Sequence, residues 1–465
     1  MNPSVAQQRL SEGWRVHQAG DVTSAEVVYR SVIDAVPKNV NAWIYLGIAL
    51  FDQRRFEESV DAYRMVLRPS TRNPIGWNNL GNSLRMLGRI EEADEAFSRS
   101  IDQDPEYLSP LKNRGTLWVW SGEIARGLQW YQEGLQIEPN EAELHRNIGV
   151  IEMLRGNFDL GLKEYRWRWK MPGLQRPKSS ATLWRGEELR GKSFLLYPEQ
   201  GLGDAVHFVR VAKTLADRGA KVYLHDEQRR VDLFSSVTQS LGVDRLVIDG
   251  SRVPTADYQA SMIEVLDLLY FRTGELGFAD ELFESRSGYI DVSSDLIDYW
   301  RKWLTHSIGD GLRVGVNWQG NPDHQADVYR SVALRTLRPL FEMDRGKIEW
   351  ISLQFGHGQE QIEAGDPLTI LPSHVDEGSA MTDTAAILRS LDAVVTTDTS
   401  LAHLAGAMNV PCHLMLGKVP DWRWGLDGSS TSWYPSMQLH RQKHFGDWGS
   451  VVESVVDSLK RDTIA

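Results

Sequence analysis

The chain of 465 residues has a single cysteine, Cys412, so it can form neither an intrachain disulfide nor a cysteine zinc cluster. It has no uninterrupted apolar run near the roughly 18 to 20 residues that span a bilayer. Its start, Met1-Asn2-Pro3-Ser4, lacks the charged-then-apolar pattern of a secretory signal. Basic residues are in the minority: 51 Lys and Arg stand against 63 Asp and Glu, a formal charge of −12. That balance excludes a general binder of nucleic acid, which needs a basic surface to neutralise phosphates. These lacks predict a reducing, cytoplasmic compartment with no nucleic-acid partner and no membrane span. Hydrophobic residues at 42 % and charged residues at 25 % are ordinary for a soluble globular protein. The length suits two to four units rather than one core.

What the chain does have is a period. Gly13, Gly47, Gly81, Gly115 and Gly149 stand 34 residues apart, and Tyr29, Tyr63, Phe97, Tyr131 and Tyr165 keep the same step. So do the small residues Ala25, Ser59, Ala93, Gly127 and Gly161, while Pro37, Pro105 and Pro139 close three units and Trp43 and Trp77 open two. Glycine lets the two helices of a unit approach closely. The aromatic column is expected to fill the groove between one unit and the next, and proline stops the second helix because it has no N–H to continue the ladder. One such unit cannot bury its own apolar face, so stacked neighbours must form the core. The pattern resembles the tetratricopeptide repeat, about five units of it over residues 1–172.

A further column, Asn79, Asn113 and Asn147, lies two residues before successive column glycines and fails at Tyr45 and Ser11. An amide offers both a donor and an acceptor, so it can pair with a peptide unit of any sequence. The asparagines either grip an extended peptide in this way or bond neighbouring repeats to one another.

Residues 173–190, with Pro177 and the Ser179-Ser180 pair, read as a linker. Beyond it, an apolar run from Ser193 to Tyr197, a Gly-rich loop, an amphipathic helix to about Arg218 and a second run from Lys221 to His225 predict a βαβ unit with parallel strands. Further strands are predicted at 313–318, 348–352, 393–396 and 411–416, with helices near 384–391 and 400–408. The fold class is therefore an N-terminal α-solenoid followed by two Rossmann-like α/β lobes, 191–310 and 311–465. A last helix, about 447 to 460, is expected to cross back to the first lobe. Such lobes bind ligands at the carboxyl ends of their strands.

Four motifs in this half carry chemistry. In Glu199-Gln200-Gly201-Leu202-Gly203-Asp204, the glycines let backbone approach a ligand and Asp204 opens a helix. The spacing is neither that of a dinucleotide fingerprint nor that of a P-loop. In Asp398-Thr399-Ser400-Leu401-Ala402-His403, a strand gives way to a helix whose first amides suit a diphosphate. The alternative there is a helix capped by Asp398 or Thr399, with His403 in the core. In Asn317-Trp318-Gln319 and the loop to Arg330, polar groups leave a strand, and Arg330 suits a leaving phosphate. Asp323, His324 and Asp327 form only a loose acidic set, and no metal is expected. In Asp421-Trp422-Arg423-Trp424, the aromatics suit a sugar or nucleobase face, or simply the packing of the lobe.

The order of these motifs behind the repeats resembles bacterial repeat-containing glycosyltransferases. The α/β half is similar to heptosyltransferase-type GT-B enzymes, and the whole is similar in architecture to O-GlcNAc transferases and repeat-bearing flagellin glycosyltransferases. The resemblance implies an inverting, metal-independent transfer from a nucleotide-sugar co-substrate, with no other cofactor, to a Ser or Thr hydroxyl of a protein such as flagellin. It implies Asp204 as base and Arg330 as phosphate partner. Donor contacts would come from Gln200, Gly201, Gly203, Asn317, Gln319, Asp398, Thr399, Ser400, Leu401, His403 and Trp422, and acceptor contacts from Asn79, Asn113 and Asn147. Serine at 400 departs from the glycine usual in that turn. The rival readings are a repeat scaffold with a non-catalytic α/β half, and transfer to a lipid or polysaccharide. The donor, UDP-hexose or UDP-GlcNAc on one side and CMP-nonulosonate on the other, stays open.

Overall fold

The computed structural model describes residues 2–68, 70–199, 201–273, 288–309, 311–324, 326–343 and 347–464. It forms two compact units, Met1–Ile151 and Glu152–Ala465.

The first unit is a stack of helical hairpins: Pro3–Gln18 with Val22–Ala35, Val40–Asp52 with Phe56–Val66, Pro74–Met86 with Ile90–Gln103, and Leu108–Trp120 with Ile124–Ile137. Asn2, Asp21, Asn39 and Asn73 cap helix starts by accepting backbone N–H bonds, which satisfies donors that the helix leaves orphaned. The glycine and aromatic columns are two halves of one contact. A Cβ on Gly13, Gly47, Gly81 or Gly115 would lie 2.7, 2.6, 2.5 or 2.4 Å from the ring of Tyr29, Tyr63, Phe97 or Tyr131 respectively. Each ring thus sits on the glycine of its own hairpin, not only in the groove to the next, although Tyr29 also stacks on Tyr45 of the following unit at 5.5 Å. The small column is fully buried at Ala25, Ser59 and Ala93. The Ser59 hydroxyl donates 2.7 Å to the Gly47 carbonyl, tying the two helices of that hairpin. The tryptophans that open units clamp the preceding loop: Trp43 Nε1 donates to the carbonyl of Pro37 and Trp77 Nε1 to that of Thr71.

The second unit contains two all-parallel sheets. The first has the order β1-β5-β2-β3-β4, with β1 Thr182–Leu183, β2 Ser193–Tyr197, β3 Lys221–Asp226, β4 Val243–Ile248 and β5 Tyr258–Ser261. The second has the order β11-β10-β9-β6-β7-β8, with β6 Leu312–Val316, β7 Ile348–Ser352, β8 Leu368–Ile370, β9 Ala393–Thr397, β10 Cys412–Leu416 and β11 Met437–Arg441. The sequence reading found the central strands, whose near-continuous apolar runs reflect burial on both faces. It missed β1, β4, β5 and β8, which are short or half-exposed, and the edge strand β11, whose polar Gln438, His440 and Arg441 break up the apolar run. The expected linker is in part structural, since Thr182 and Leu183 pair with Tyr258 and Gln259.

Three further expectations are revised. The helix expected to run to about Arg218 is two, Leu202–Phe208 and Val211–Asp217, broken where buried Arg210 turns back to donate to the His207 carbonyl at 2.8 Å. The last helix, Trp448–Ile464, packs on the second sheet: Val451, Val452, Val455 and Leu459 share a core with Val314, Trp318, Leu337 and Met415. Its buried face is spent there rather than on a crossing to the first sheet. The segment Phe158–Lys170, expected to close the repeat array, belongs to the second unit. Arg166 pairs with Asp267 at 2.7 Å, and Arg168 with Glu199 at 2.5 Å with both side chains almost fully buried.

The glycine seats give a prediction. Gly81→Val places branched carbons inside the Phe97 ring, and overpacking of this kind costs about 1–3 kcal/mol. Thermal unfolding of the first unit, followed by helical circular dichroism, is expected at a lower temperature than in the parent. Gly20→Ala, which meets nothing within 4 Å but has a φ of +92°, serves as the contrasting backbone-strain control.

Candidate functional site

Strand order decides where the motifs go. In each sheet the order reverses at one point, between β2 and β5 in the first and between β6 and β9 in the second. Connections on either side of such a switch point leave on opposite faces and open a crevice at the carboxyl ends of the strands. The Glu199–Asp204 turn leaves β2 at the first switch point. Asn317–Gln319 leaves β6 and Asp398–Ser400 leaves β9 at the second.

The two crevices meet. Helix Leu202–Phe208 of the first lobe packs against helix Ser400–Ala407 of the second. Gly203 makes this possible, since a Cβ there would lie 3.0 Å from His403 Cδ2 and 3.4 Å from Ser400 Cα. Its job is thus the approach of one turn to the other, while a Cβ on Gly201 would meet nothing within 4 Å. Gln200 lies outside the described residues. Glu199 is a strut: buried, it takes both Arg168 and the Ser261 hydroxyl.

Asp204, the expected base, is ion-paired with Arg423 of the fourth motif. Arg423 is itself 9 % exposed and donates to Asp421 at 2.7 Å. Its guanidinium lies over the rings of Phe208 and Trp422, at 4.6 and 4.9 Å. One desolvated cation therefore holds two carboxylates from different lobes, and their charges keep the Arg423 guanidinium protonated despite its burial. Beside it, the buried Asp398 carboxyl is pushed up by loss of water first and by the Asp421 charge second.

Arg330 reaches the same place. Its Nη1 donates 2.9 Å to the Asp398 carbonyl and its Nε 3.3 Å to the buried Asp327 carboxylate, alongside Gly320. At the helix start, Thr399 is the cap residue, but its side chain makes no cap bond. The Thr399 hydroxyl instead faces Asn317 Oδ1, as does that of Thr396. Ser400 stands at the crevice, whereas Leu401 is buried in the lobe.

Several expected donor contacts have structural partners. Asn317 and Gln319 are tied to Gln354, whose Oε1 accepts from Asn317 Nδ2 at 2.8 Å and from the Gln319 amide at 2.9 Å. His403 is in the core: Nδ1 meets the Tyr434 hydroxyl at 3.1 Å and the ring stacks on Trp424 at 5.3 Å. The same hydroxyl meets His207 Nδ1 at 2.7 Å, and Arg210 bonds the Trp433 carbonyl and the Tyr289 hydroxyl. Trp422 is buried against Phe208 and Trp433. Glu199 and Arg423 stand inside the first and fourth motifs and Tyr434 in the same aromatic tail, but the sequence assigns no role to any of them, and Gln354 stands outside all four motifs.

In the first unit, the asparagine column is engaged in side-chain contacts with its surroundings. Asn113 Nδ2 donates 2.9 Å to Asn78 Oδ1, which joins two repeats. Asn78 in turn donates to Asn79, and Arg146 donates to Asn147.

Comparison with known proteins defines the first class. Tetratricopeptide repeat family descriptions match residues 10–74 and 74–107, and the N-terminal region is a tetratricopeptide repeat array. Over 454 residues the chain is 22 % identical to protein FlbA of Caulobacter vibrioides, covering 92 % of this chain and 74 % of FlbA. Among solved structures, PilF of Pseudomonas aeruginosa is 17 % identical with a TM-score of 0.36, over 46 % of this chain and 86 % of that one. MamA of Desulfovibrio magneticus is 14 % identical with a TM-score of 0.32, over 36 % and 93 %. Among the described residues, no helix is long and apolar enough to cross a membrane.

The buried histidines predict a pH response. Burial first, and the charges of Arg210, Arg423 and each other next, hold His207 well below the usual value; burial and the same arginines do so for His403. A base whose folded value is depressed binds its proton more readily when unfolded. Its stabilisation is therefore complete above the ordinary value near 6.5 and is lost as pH falls below it. Each histidine is expected to cost about 1.4 kcal/mol per pH unit below about 6.5. The raised Asp398 acts in the opposite sense, favouring the fold only as it protonates. Unfolding temperatures of the second unit should fall from pH 7.5 to pH 5.5, and more shallowly in His403→Gln than in the parent.

Proposed function

We propose that the second unit is an inverting glycosyltransferase of GT-B type and that the repeat array captures its protein acceptor. What carries the reading is the convergence of four motifs, spread over more than two hundred residues, beyond the carboxyl ends of two parallel sheets: Asp204 against Arg423, Gly203 against Ser400, and Arg330 against Asp398. Packing alone does not require charged groups at the carboxyl ends of both sheets. An anionic donor does.

In this mechanism a Ser or Thr hydroxyl of the acceptor attacks the anomeric carbon of the donor sugar. The bond from that carbon to the phosphate oxygen breaks, and the nucleotide leaves with the electron pair. Arg330 and the amides at the start of helix Ser400–Ala407 stabilise the leaving phosphate. The proton passes to Asp204. Arg423 holds Asp204 in place, and a bound diphosphate competing for that guanidinium would release the carboxylate to act as base. The positive potential is supplied by protein groups in this reading, and the asparagine column contributes the amide functions left over from its contacts between repeats.

Two variants test it. Asp204→Asn is expected to bind UDP or CMP like the parent in a thermal-shift titration while losing transfer to a co-expressed acceptor followed by intact-mass spectrometry. Normal glycosylation by that variant removes Asp204 as base. Removing a donor to developing charge costs about 2.7–4 kcal/mol of barrier, so Arg330→Ala should slow turnover by roughly 100-fold or more. If no nucleotide mono- or diphosphate stabilises the protein, the scaffold reading replaces the enzyme.

A further inference from the structure

The inner surface of the repeat array changes chemistry along its length. First helices of successive hairpins pack on one another more than second helices do, so the first helices line the inside of the stack. In the register of the asparagine column, Asn147, Asn113 and Asn79 give way to Tyr45 in the second hairpin. One turn further along these helices, Thr116 and Asn82 give way to Ile48 and Trp14. Amides and a hydroxyl in the later hairpins are thus replaced by rings and an aliphatic group in the first two.

At that end the side chains form a cluster. Trp14 stacks on Tyr45 at 5.3 Å and 29° and meets His17 edge-on at 5.2 Å. Trp14 and Tyr45 both stay half-exposed. Asp52 closes the cluster: its carboxylate lies 2.8 Å from His17 Nε2, and its side chain is 46 % exposed. Among the described residues, His17 is the sole basic side chain that reaches this carboxylate. Glu26, Glu58, Glu92 and Asp94 of the same repeats each have an arginine. We propose that this end of the repeat array takes a lysine or arginine side chain of the acceptor, with Asp52 as its counter-charge and Trp14 and Tyr45 as the surface it lies on.

The asparagine column explains why such a site is needed. An amide pairs with backbone, which every peptide shares, so a row of amides cannot choose among sequences. Rings and a carboxylate read a side chain instead. An aromatic ring attracts a cation within about 6 Å through its quadrupole. The aliphatic stem of lysine or arginine packs along apolar surface while the charged head reaches beyond it. An apolar side chain would leave the carboxylate without use, and an anionic one would be repelled by it. The proposal rests on the reading that the repeats capture a protein acceptor, and it names the side chain they select.

The test uses the full chain, with a library of short random-sequence peptides as the probe. Peptides retained by the parent should be enriched in lysine and arginine. Asp52→Asn keeps an acceptor for His17, so the local packing persists. It should lose most of the enrichment and bind a retained lysine peptide about threefold more weakly by fluorescence anisotropy, the scale of an exposed ion pair. Replacing that lysine by norleucine tests the same charge with the parent protein alone and should weaken binding as much. Asp61→Asn removes an exposed carboxylate from the second helix of the same hairpin and should behave as the parent. Retention of no peptide, enrichment in apolar or acidic residues, equal selection by the parent and Asp52→Asn, or an equal loss in Asp61→Asn overturns the proposal. Thermal-shift titration of UDP and CMP on the same samples separates the two readings. Nucleotide binding without cation selection removes the cluster's role alone. Cation selection lost in Asp52→Asn, without any nucleotide binding, keeps the cluster and removes the transferase.

Discussion

The second unit depends on the meeting of two short helices, Leu202–Phe208 and Ser400–Ala407, which begin at the switch points of different sheets. A side chain at residue 203 would hold them apart, and glycine lets backbone lie against Ser400 and His403. Once they touch, the buried polar groups have to find partners, because an unpaired charge or donor in that interior is expensive. Arg423 answers Asp204 and Asp421, and Tyr434 answers both His207 and His403. The crevice is thus assembled by the same contacts that join the lobes, and the groups with chemical potential are also the ones that hold it shut.

This double use explains why the expected site residues divided as they did. Asn317, Gln319 and His403 have the polarity of ligand contacts, but Gln354, Gln361, Tyr434 and Trp424 occupy their side chains. Arg330, Thr399 and Ser400 sit at the crevice with the backbone of the helix start beside them. Asp204 lies between the two groups. It stands at the crevice, and its carboxylate is paired with Arg423.

The first unit runs on a simpler constraint, repeated. An aromatic ring on the second helix needs a flat seat on the first, and only glycine provides one at 2.4–2.7 Å from a would-be Cβ. Because each hairpin meets this need internally while stacking on its neighbour, the spacing of 34 cannot drift without losing both contacts. The asparagine column shows the limit of column reading: identical residues at identical register differ in their partners, Asn78 for Asn113 and Arg146 for Asn147.

What the sequence determined alone is whatever is local and periodic. The repeat array follows from Gly81 facing Phe97 and its counterparts, and the central strands β2, β6, β9 and β10 follow from short apolar runs bounded by turns. The turn at Gly201–Asp204 and the helix start at Thr399 were legible because glycine and small polar residues punctuate chain direction. Tertiary structure alone decided strand order, since edge strands such as Thr182–Leu183 and Met437–Arg441 carry no pattern until a neighbour supplies their hydrogen bonds. It decided that the last helix stays on its own sheet, because an apolar stripe such as Val451, Val455 and Leu459 does not name the surface it will cover. It also decided that Arg423 belongs to Asp204, 219 residues away. Charge and burial at that distance are properties of the folded chain, and no spacing in the sequence encodes them.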